Sequence, residues 1–313
     1  MATDFSTRVI KSIIDAQEEG QRLDSWLSKR FSYLSRHRWQ QEIKSGRITL
    51  NTRATRCSRL LHAGDTVEFT PEHEEPPVEF DYRIVYEDAE LLVIDKGGRL
   101  PCHPAGAFFK NTLWHDLSQK YGDIFIVNRL DRETSGLLIA ARNSATAAIL
   151  SADFASNQID KVYYALVFGE FKTPLCAAGY LSSDPDSVIR KKRRFSMEPP
   201  DGDSESAQTE FEPIDFSGDI SLVKVRPHTG RLHQIRATLC SLGFPLVGDK
   251  IYGPNEQYFL KFCDDALTAE DWQILRMRRQ ALHAGELRFR HPTDQRELSF
   301  VAPIPDDFIM KKS

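Results

Sequence analysis

One short segment combines a carboxylate with guanidinium groups and a tight turn. It covers residues 128–136 and places Asp131 between Arg129 and Arg132. Because it lies between an apolar run over 124–127 and a predicted strand over 137–141, we predict a loop. Cationic neighbours favour the ionised form of a carboxylate, and the Thr-Ser-Gly ending favours a rigid turn. Such a loop could present Asp131 as a nucleophile or a base, although charged loops are also typical of structural salt-bridge clusters.

A second segment, residues 228–236, concentrates histidine and arginine after another apolar run. Its glycine and the proline before it predict a turn, after which a helix should begin at Thr229 or Gly230. The basic side chains in the first turns of this helix would be Arg231, His233 and Arg236. A helix N-terminus favours anions, so the segment predicts a site for a phosphate or for a carboxylate from another loop.

Metal and hydrolase chemistry find no support in the sequence. His228 and His233 lack the His-x-x-x-His spacing and the intervening glutamate of a zinc site. The five cysteines contain no Cys-x-x-Cys pair for zinc or redox chemistry. Neither a Gly-x-Ser-x-Gly turn nor a Gly-Lys-Ser/Thr phosphate-binding loop occurs. We therefore expect neither a metalloenzyme nor a hydrolase.

The composition is that of a soluble globular protein with roughly two domains. The chain has 313 residues, of which 41% are hydrophobic and 27% are charged. Its beginning lacks the basic, apolar and small residues that succeed one another in a signal peptide. No apolar run approaches the roughly 18 residues of a membrane span. We therefore expect a cytoplasmic protein without a membrane partner.

Charge is distributed unevenly along the chain. The total is −4, yet residues 21–64 contain ten basic and two acidic residues, a net charge of +8. Eight of the ten are arginines, whose planar guanidinium groups suit phosphate recognition. A nucleic acid is the expected partner of this stretch, and the alternative is a solvated basic face without a ligand.

The same stretch predicts two helices followed by short strands. Apolar residues three and four apart predict a helix over 22–34. Ser35 is a typical N-cap for a second helix over 36–44, which should end at Gly46. The strands predicted after it cover residues 47–50 and 66–69.

This order of elements resembles the small RNA-binding module, or αL motif, found in a ribosomal small-subunit protein, tyrosyl-tRNA synthetases and several RNA-modifying enzymes. The resemblance covers residues 21–69 and rests mainly on Arg22-Leu23-Asp24 and on residues 46–51. It implies that basic side chains on the exposed helix face bind RNA. The residues for which we expect this role are Arg22, Arg36, Arg38, Lys44 and Arg47.

The proline- and glutamate-rich stretch 71–79 predicts a linker, because proline cannot continue a helix or a central strand. We predict a small α/β domain over 1–70, a linker over 71–80 and a larger domain over 81–313. Strands and helices mix irregularly in the larger domain, which predicts an α+β fold with a mixed, largely antiparallel sheet and flanking helices. The predicted strands cover 82–86, 91–94, 137–141, 162–168, 222–225 and 287–289, and the predicted helices cover 112–120, 144–154 and 232–242.

Both charged segments resemble the signatures of RluA-type pseudouridine synthases. Residues 129–136 match the family's Arg-Leu-Asp-x-x-Thr-Ser-Gly signature, and residues 228–236 are similar to its second signature. Further similar segments are Lys161-Val162-Tyr163, which resembles the family's Lys-x-Tyr motif, and residues 91–96, 100–106 and 243–253. The resemblance covers about residues 82–255 and implies an isomerase that converts uridine in structured RNA to pseudouridine.

The resemblance also assigns roles to individual residues. Asp131 is the catalytic carboxylate, acting as a nucleophile on the sugar or the uracil, or as a base that generates a glycal. Arg236 pairs with Asp131, while Tyr163 stacks on the uracil and transfers protons. Leu246 or Val247 is expected to form an apolar floor under the base. The residues expected to bind RNA in this domain are Arg129, Arg231 and His233.

Two further features bear on the substrate. The basic run 190–194 is either a second RNA surface or a flexible solvated loop. Asn128 stands where the family usually has histidine; because asparagine cannot take a charge, we expect activity to survive with a changed contact to backbone or RNA.

The expected partner is structured RNA, with ribosomal RNA as the first candidate and tRNA as the second, and we expect a monomer. The isomerisation requires neither a cofactor nor a metal. The alternative is a non-catalytic RNA-binding or ribosome-assembly factor on the same fold. The joint presence of Asp131, Tyr163 and Arg236 disfavours that alternative.

Overall fold

The N-terminal residues form a four-stranded antiparallel sheet packed against two helices. The computed structural model describes residues 9–31, 34–70, 75–308 and 310. The helices are α1 (Leu23–Arg30) and α2 (Arg36–Lys44). The strands are β1 (Ile10–Ile13), β2 (Ile48–Leu50), β3 (Arg53–Ala54) and β4 (Thr66–Phe69), in the sheet order β1-β4-β2-β3.

Two buried tryptophans, Trp26 from α1 and Trp39 from α2, hold this small core together. The Ser35 hydroxyl oxygen accepts the backbone N–H of residue 38 at 3.3 Å, so Ser35 caps α2 as predicted. The first helix is shorter than the predicted range 22–34. It ends at Arg30, and Phe31 leaves the helical conformation with a φ of −122° and a ψ of 81°. The Phe31 carbonyl accepts the indole N–H of Trp39 at 3.1 Å, and residues 32 and 33 lie outside the described residues.

A second, eleven-stranded sheet occupies the described part of the chain after residue 80. Its strands are β5 (Tyr82–Glu87), β6 (Leu91–Lys96), β7 (Phe125–Ile126), β8 (Ser135–Ala141), β9 (Asp160–Phe168), β10 (Leu175–Ser183), β11 (Arg193–Ser196), β12 (Ser204–Ser217), β13 (Ile220–Pro227), β14 (Leu282–Arg290) and β15 (Glu297–Val301). The main path is β11-β10-β12-β13-β9-β14-β8-β6-β5, with β7 beside β8 and β15 beside β14. Every pairing is antiparallel except the short one between β8 and β14.

Helices flank this sheet, which confirms the predicted α+β class. They are α3 (Leu113–Tyr121), α4 (Ser144–Ala155), α5 (Gln234–Ser241), α6 (Gln257–Cys263) and α7 (Ala269–Leu275). Each predicted strand and helix of the larger domain has a counterpart at its predicted place. The sequence analysis missed the short strands β1, β3 and β7, the strands β10, β11, β12 and β15, and helices α6 and α7.

The parallel contact between β8 and β14 fixes the Asp131 loop relative to Tyr163. Ala284 of β14 pairs with Gly136 on one side and with Tyr163 of β9 on the other. Gly136 has a φ of 107°, and a Cβ at this position would lie 2.2 Å from the Ala284 carbonyl oxygen. Because only glycine allows this approach, the Thr-Ser-Gly ending sets the distance between the two strands.

The described part of the predicted linker lies against the larger domain. The Glu75 carboxylate accepts the backbone N–H groups of Phe109, Lys110 and Asn111 at 2.8, 2.7 and 2.7 Å. The preceding residues of that linker, 71–74, lie outside the described residues. Glu75 therefore attaches the middle of the predicted linker to the segment just before α3.

Two hydrogen bonds also join the N-terminal module directly to the larger domain. Ser35 donates to the carboxylate of Asp264, and the Arg190 guanidinium donates to the Arg30 carbonyl at 3.2 Å. Within the described ranges, no helix is both long enough and apolar enough to cross a membrane.

Candidate active site

Asp131 and Arg236 form the centre of the site. Arg236 Nη1 donates to Oδ2 of Asp131 at 2.6 Å, which is the contact expected from the sequence. The same guanidinium also binds the buried Asp249, with Nε and Nη2 at 2.7 and 2.9 Å from its two oxygens. Asp249 in turn accepts the backbone N–H groups of Ile251 and Tyr252. Arg236 is therefore locked between two carboxylates, one of which the sequence analysis missed.

The environment of Asp131 keeps its carboxylate charged. Burial opposes ionisation, but the adjacent Arg236 guanidinium holds the pKa of Asp131 well below its usual range. The side chain is nevertheless 32% exposed. Asp131 is thus an anion at neutral pH that a ligand can still reach.

Two buried lysines hold the Asp131 loop, one through its backbone and one through a side chain. Lys96 donates to the Arg132 carbonyl at 3.2 Å, and Lys250 binds the Glu133 carboxylate at 2.8 Å. Both lysines are almost fully buried. Lys96 and Lys250 lie on two separate segments of the chain outside the loop. They therefore fix the conformation of the loop from two sides.

Gln280 provides a second donor to the same oxygen of Asp131. Its Nε2 lies 3.2 Å from Asp131 Oδ2 and 2.6 Å from Thr134 Oγ1. The side chain is 2% exposed, so solvent does not compete for these hydrogen bonds. The sequence analysis missed Gln280, because a lone glutamine far along the chain carries no signal for this contact.

Tyr163 lines the same cleft as Asp131 and packs between two cores of the larger domain. Burial, followed by the negative charge of Asp131, raises the pKa of Tyr163 to about 12. The phenol therefore keeps its proton at neutral pH. No described residue makes a hydrogen bond to its hydroxyl, which leaves this group available to a ligand.

The cleft has a volume of about 530 Å³. The residues that line its walls include Asp131, Tyr163, Arg236, Arg129 and Leu282. The expectation that Leu246 or Val247 forms its floor was wrong. Both side chains are buried in the core and do not line the cleft, whereas Leu130, Ile235 and Leu282 are among the apolar residues that do.

The helix predicted to begin at Thr229 or Gly230 begins only at Gln234. Its delay has a local cause: the Gln234 side-chain oxygen accepts the Arg231 N–H at 3.0 Å and the Thr229 hydroxyl at 2.8 Å, which closes a turn. Arg231 and His233 therefore precede the helix, and only Arg236 lies within it.

The residues expected to bind RNA near the cleft occupy different positions. Arg129 is exposed on the cleft wall, and Arg231 is exposed beside the Ser206 carbonyl at 3.2 Å. His233 is buried next to Asp131, with 8% of its side chain exposed. Asn128 turns inward, and its Oδ1 accepts the Ile139 N–H at 2.7 Å.

In the N-terminal module, a buried carboxylate organises two of the expected RNA-binding arginines. Asp24 is 0% exposed and binds Arg22 and Arg36, each at 3.1 Å, as well as Gln40 at 2.7 Å. Burial opposes ionisation, but the hydrogen bonds from Arg22, Gln40 and Arg36 lower the pKa of Asp24 to about 2. The two guanidinium groups are about half exposed, so Asp24 orients them towards solvent.

The other basic candidates differ in how many partners they have. Arg38 and Lys44 are exposed on α2, whereas Arg47 pairs with Glu42. In the run 190–194, Lys192 pairs with Glu256 and Arg194 with two aspartates. Two of the five basic residues in that run are therefore paired with carboxylates.

Comparison with known proteins identifies the chemistry of this site. A family model described as RNA pseudouridylate synthase matches residues 90–241. An "Uncharacterized RNA pseudouridine synthase" of Chlorobaculum parvum is 33% identical over 91% of this chain and 91% of its own length. The "Ribosomal large subunit pseudouridine synthase D" of Zymomonas mobilis is 33% identical over 92% of each chain.

A solved structure agrees with these matches. The structure titled "Human RNA Pseudouridylate Synthase Domain Containing 1" has a TM-score of 0.58 and 26% identity, and the match covers 75% of this chain and 88% of that one. The fold is thus that of isomerases that act on RNA. The chain belongs to the RNA pseudouridine synthase family.

Replacing Tyr163 by phenylalanine should separate packing from proton transfer. The ring would be kept, while the rate at saturating RNA should fall by about 10²- to 10⁴-fold, the range for losing a proton-transfer group. Single-turnover pseudouridine formation measures the rate, and thermal unfolding checks that the fold is unchanged. A wild-type rate in Tyr163→Phe would show that the hydroxyl takes no part in proton transfer and that Tyr163 serves packing alone.

Proposed function

We propose that this pseudouridine synthase modifies uridine in large-subunit ribosomal RNA, with Asp131 as the reacting carboxylate. The observation that carries the assignment is the hydrogen bond between Asp131 and Arg236 at 2.6 Å in the cleft that Tyr163 also lines. The target RNA is suggested by relatives named for the large ribosomal subunit, including that of Zymomonas mobilis. Transfer RNA is the second candidate.

The reaction breaks the N1–C1′ bond, rotates the uracil and joins its C5 to C1′. Atoms and electrons balance within the nucleotide, so no cofactor is needed. Asp131 would attack the sugar or the uracil, or remove a proton to give a glycal, while Arg236 holds its carboxylate in place. The hydroxyl of Tyr163 would move protons on the uracil, and Leu282 would support the base.

The target nucleotide must leave its stack before it can reach Asp131. The cleft volume of about 530 Å³ lies within the range of small-molecule sites, so an extruded nucleotide is a suitable occupant. Unstacking costs a few kcal/mol, which contacts to phosphates elsewhere must offset. Arg129 and Arg231 are exposed near the cleft and suit this role, whereas the buried His233 does not reach a backbone phosphate on the surface.

We further propose that residues 1–70 act as a separate RNA-binding domain, joined through 71–80 to the catalytic domain 81–313. Support comes from its own sheet and core and from its net charge of +8 over residues 21–64. The proposed contacts to phosphates are Arg22, Arg36, Arg38, Lys44 and Arg47. We also propose that the protein acts as a monomer in the cytoplasm, which light scattering and cell fractionation would test.

Asp24→Asn should weaken RNA binding although it makes the module more positive. The variant loses the buried anion that orients Arg22 and Arg36, so we expect Kd for RNA to rise about 5-fold, roughly 1 kcal/mol. Glu68→Gln is the matched control, because it removes one negative charge from the same module at a site that binds Lys11. Binding at fixed salt should be unchanged or slightly tighter in this control. Tighter binding by Asp24→Asn would show that net charge, not orientation, sets affinity.

Pseudouridine mapping of total RNA tests the proposed target. Cells lacking the gene should lose pseudouridine at specific large-subunit ribosomal positions, and these should return with the wild-type gene but not with Asp131→Asn. Losses confined to tRNA would replace the ribosomal target with the second candidate.

A further inference from the structure

The two oxygens of Asp131 have different surroundings. Oδ2 accepts hydrogen bonds from Arg236 at 2.6 Å and from Gln280 at 3.2 Å. No described residue makes a hydrogen bond to Oδ1, and His233 Nε2 lies 4.0 Å from it. That distance is too long for a hydrogen bond. Oδ1 thus keeps its lone pairs available, whereas those of Oδ2 are engaged.

The backbone of His233 is in an unusual conformation. Its φ is 56° and its ψ is 20°, in the left-handed region that few residues other than glycine adopt, although asparagine, aspartate and histidine do so more often than the rest. Such a conformation costs about 1 kcal/mol or more and persists where the surrounding structure holds it, as at functional sites. Here it directs the imidazole of His233 inward, beside Asp131 and Tyr252.

Hydrogen bonds around Tyr252 determine which ring nitrogen of His233 carries the proton. Tyr252 Oη lies 2.9 Å from His233 Nδ1 and accepts the Arg193 backbone N–H at 2.8 Å. Tyr252 is 1% exposed, and among the described residues Nδ1 is the one acceptor within hydrogen-bonding distance of Oη, so the phenol donates its proton to Nδ1. Burial raises the pKa of Tyr252, so the phenol keeps this proton.

The imidazole itself is neutral at physiological pH. Burial, followed by the charge of Arg236, lowers the pKa of His233 to about 4. With Nδ1 accepting from Tyr252, the single ring proton lies on Nε2, the nitrogen that faces Asp131. The negative charge of Asp131 favours the same tautomer.

We propose that His233 is a positioning residue whose neutral Nε2–H is directed at Oδ1 of Asp131 and keeps that oxygen facing the substrate. A polar N–H at 4.0 Å attracts the carboxylate without occupying its lone pair. Rotation of the carboxylate away from the cleft is thereby disfavoured, while Oδ1 stays reactive. The inference rests on the proposed function, in which Asp131 is the reacting group.

Two substitutions of His233 test this role in opposite directions. The amide nitrogen of glutamine reaches approximately the place of Nε2, whereas that of asparagine reaches only the place of Nδ1. Asparagine, however, tolerates the left-handed backbone better than glutamine does. If the N–H matters, His233→Asn should lower kcat by about 10- to 100-fold at unchanged KM, the effect of a misplaced reacting group, and His233→Gln should restore most of that loss.

If residue 233 matters only because its backbone is left-handed, the order of the two activities reverses. His233→Asn would then be as active as wild type, and His233→Gln would be impaired. That order would overturn the proposal. Nitrogen-15 NMR of the wild-type histidines gives an independent check. We expect a signal from a neutral, Nε2-protonated ring that is lost in His233→Asn, and an Nδ1-protonated ring would contradict the inference.

Asp131→Asn distinguishes failure of this inference from failure of the proposed function. If Asp131→Asn is inactive while His233→Asn and His233→Gln both match wild type, the role of His233 is wrong and the function stands. If Asp131→Asn is active, Asp131 is not the reacting carboxylate, and that part of the proposed function, on which this inference rests, is wrong.

Discussion

Asp131→Asn should abolish pseudouridine formation, lowering the single-turnover rate by at least about 10⁴-fold, the order of loss when an enzyme's nucleophile is removed. Asparagine has the same shape and can still accept a hydrogen bond from Arg236 through its carbonyl oxygen. It lacks the charge and nucleophilicity that the cleft presents to the substrate. The substitution therefore tests chemistry with little change in structure.

Binding and folding must be measured alongside that rate. RNA affinity of Asp131→Asn should stay within about 3-fold of wild type, because the phosphate contacts that dominate affinity lie elsewhere. Thermal unfolding should show a folded protein. A rate near wild type would eliminate Asp131 as the reacting group.

Arg236→Met should produce the largest combined loss of stability and activity. The variant leaves Asp249 buried without its cationic partner, and breaking such a buried pair costs about 3–5 kcal/mol. It also removes the donor that holds Asp131 at 2.6 Å. Denaturant unfolding and the rate at saturating RNA measure the two losses separately.

The double variant Arg236→Met with Asp249→Asn distinguishes folding from catalysis. The asparagine introduced by Asp249→Asn would carry no charge, and its side-chain oxygen could still accept the N–H groups of Ile251 and Tyr252. Much of the stability should return, whereas the rate should stay low because Asp131 still lacks its donor. Recovery of both stability and rate would show that Arg236 serves only the fold.

Sequence motifs predicted the centre of the candidate site because the charged residues that form it lie in short, dense segments. Asp131 and Arg236 were found in this way, and the structure brings them within hydrogen-bonding distance. Asp249 and Gln280 were missed as partners, since each contributes one side chain from a distant segment. Such contacts are set by how β14 and the segment after α5 pack, which local pattern does not encode.

The prediction of the fold from the sequence was limited in the same way. Strands with strong apolar runs, such as β8 and β9, were predicted close to their observed places. The long strand β12 was missed, because it is largely polar and contains Pro213, which normally argues against an interior strand. The sheet accommodates Pro213 through a shift of register between Pro213 and Asp215. The sequence pattern does not encode this shift.

Release of tritium from RNA labelled at C5 of uridine tests the central claim most directly. Joining C5 to C1′ displaces the hydrogen at C5, so each pseudouridine formed releases one tritium into water. With RNA from cells that lack the gene, the purified wild-type protein should release tritium to a fixed plateau without any cofactor, and Asp131→Asn should release none. Tight binding of that RNA by the wild-type protein without tritium release would contradict the account and would favour a non-catalytic RNA-binding factor.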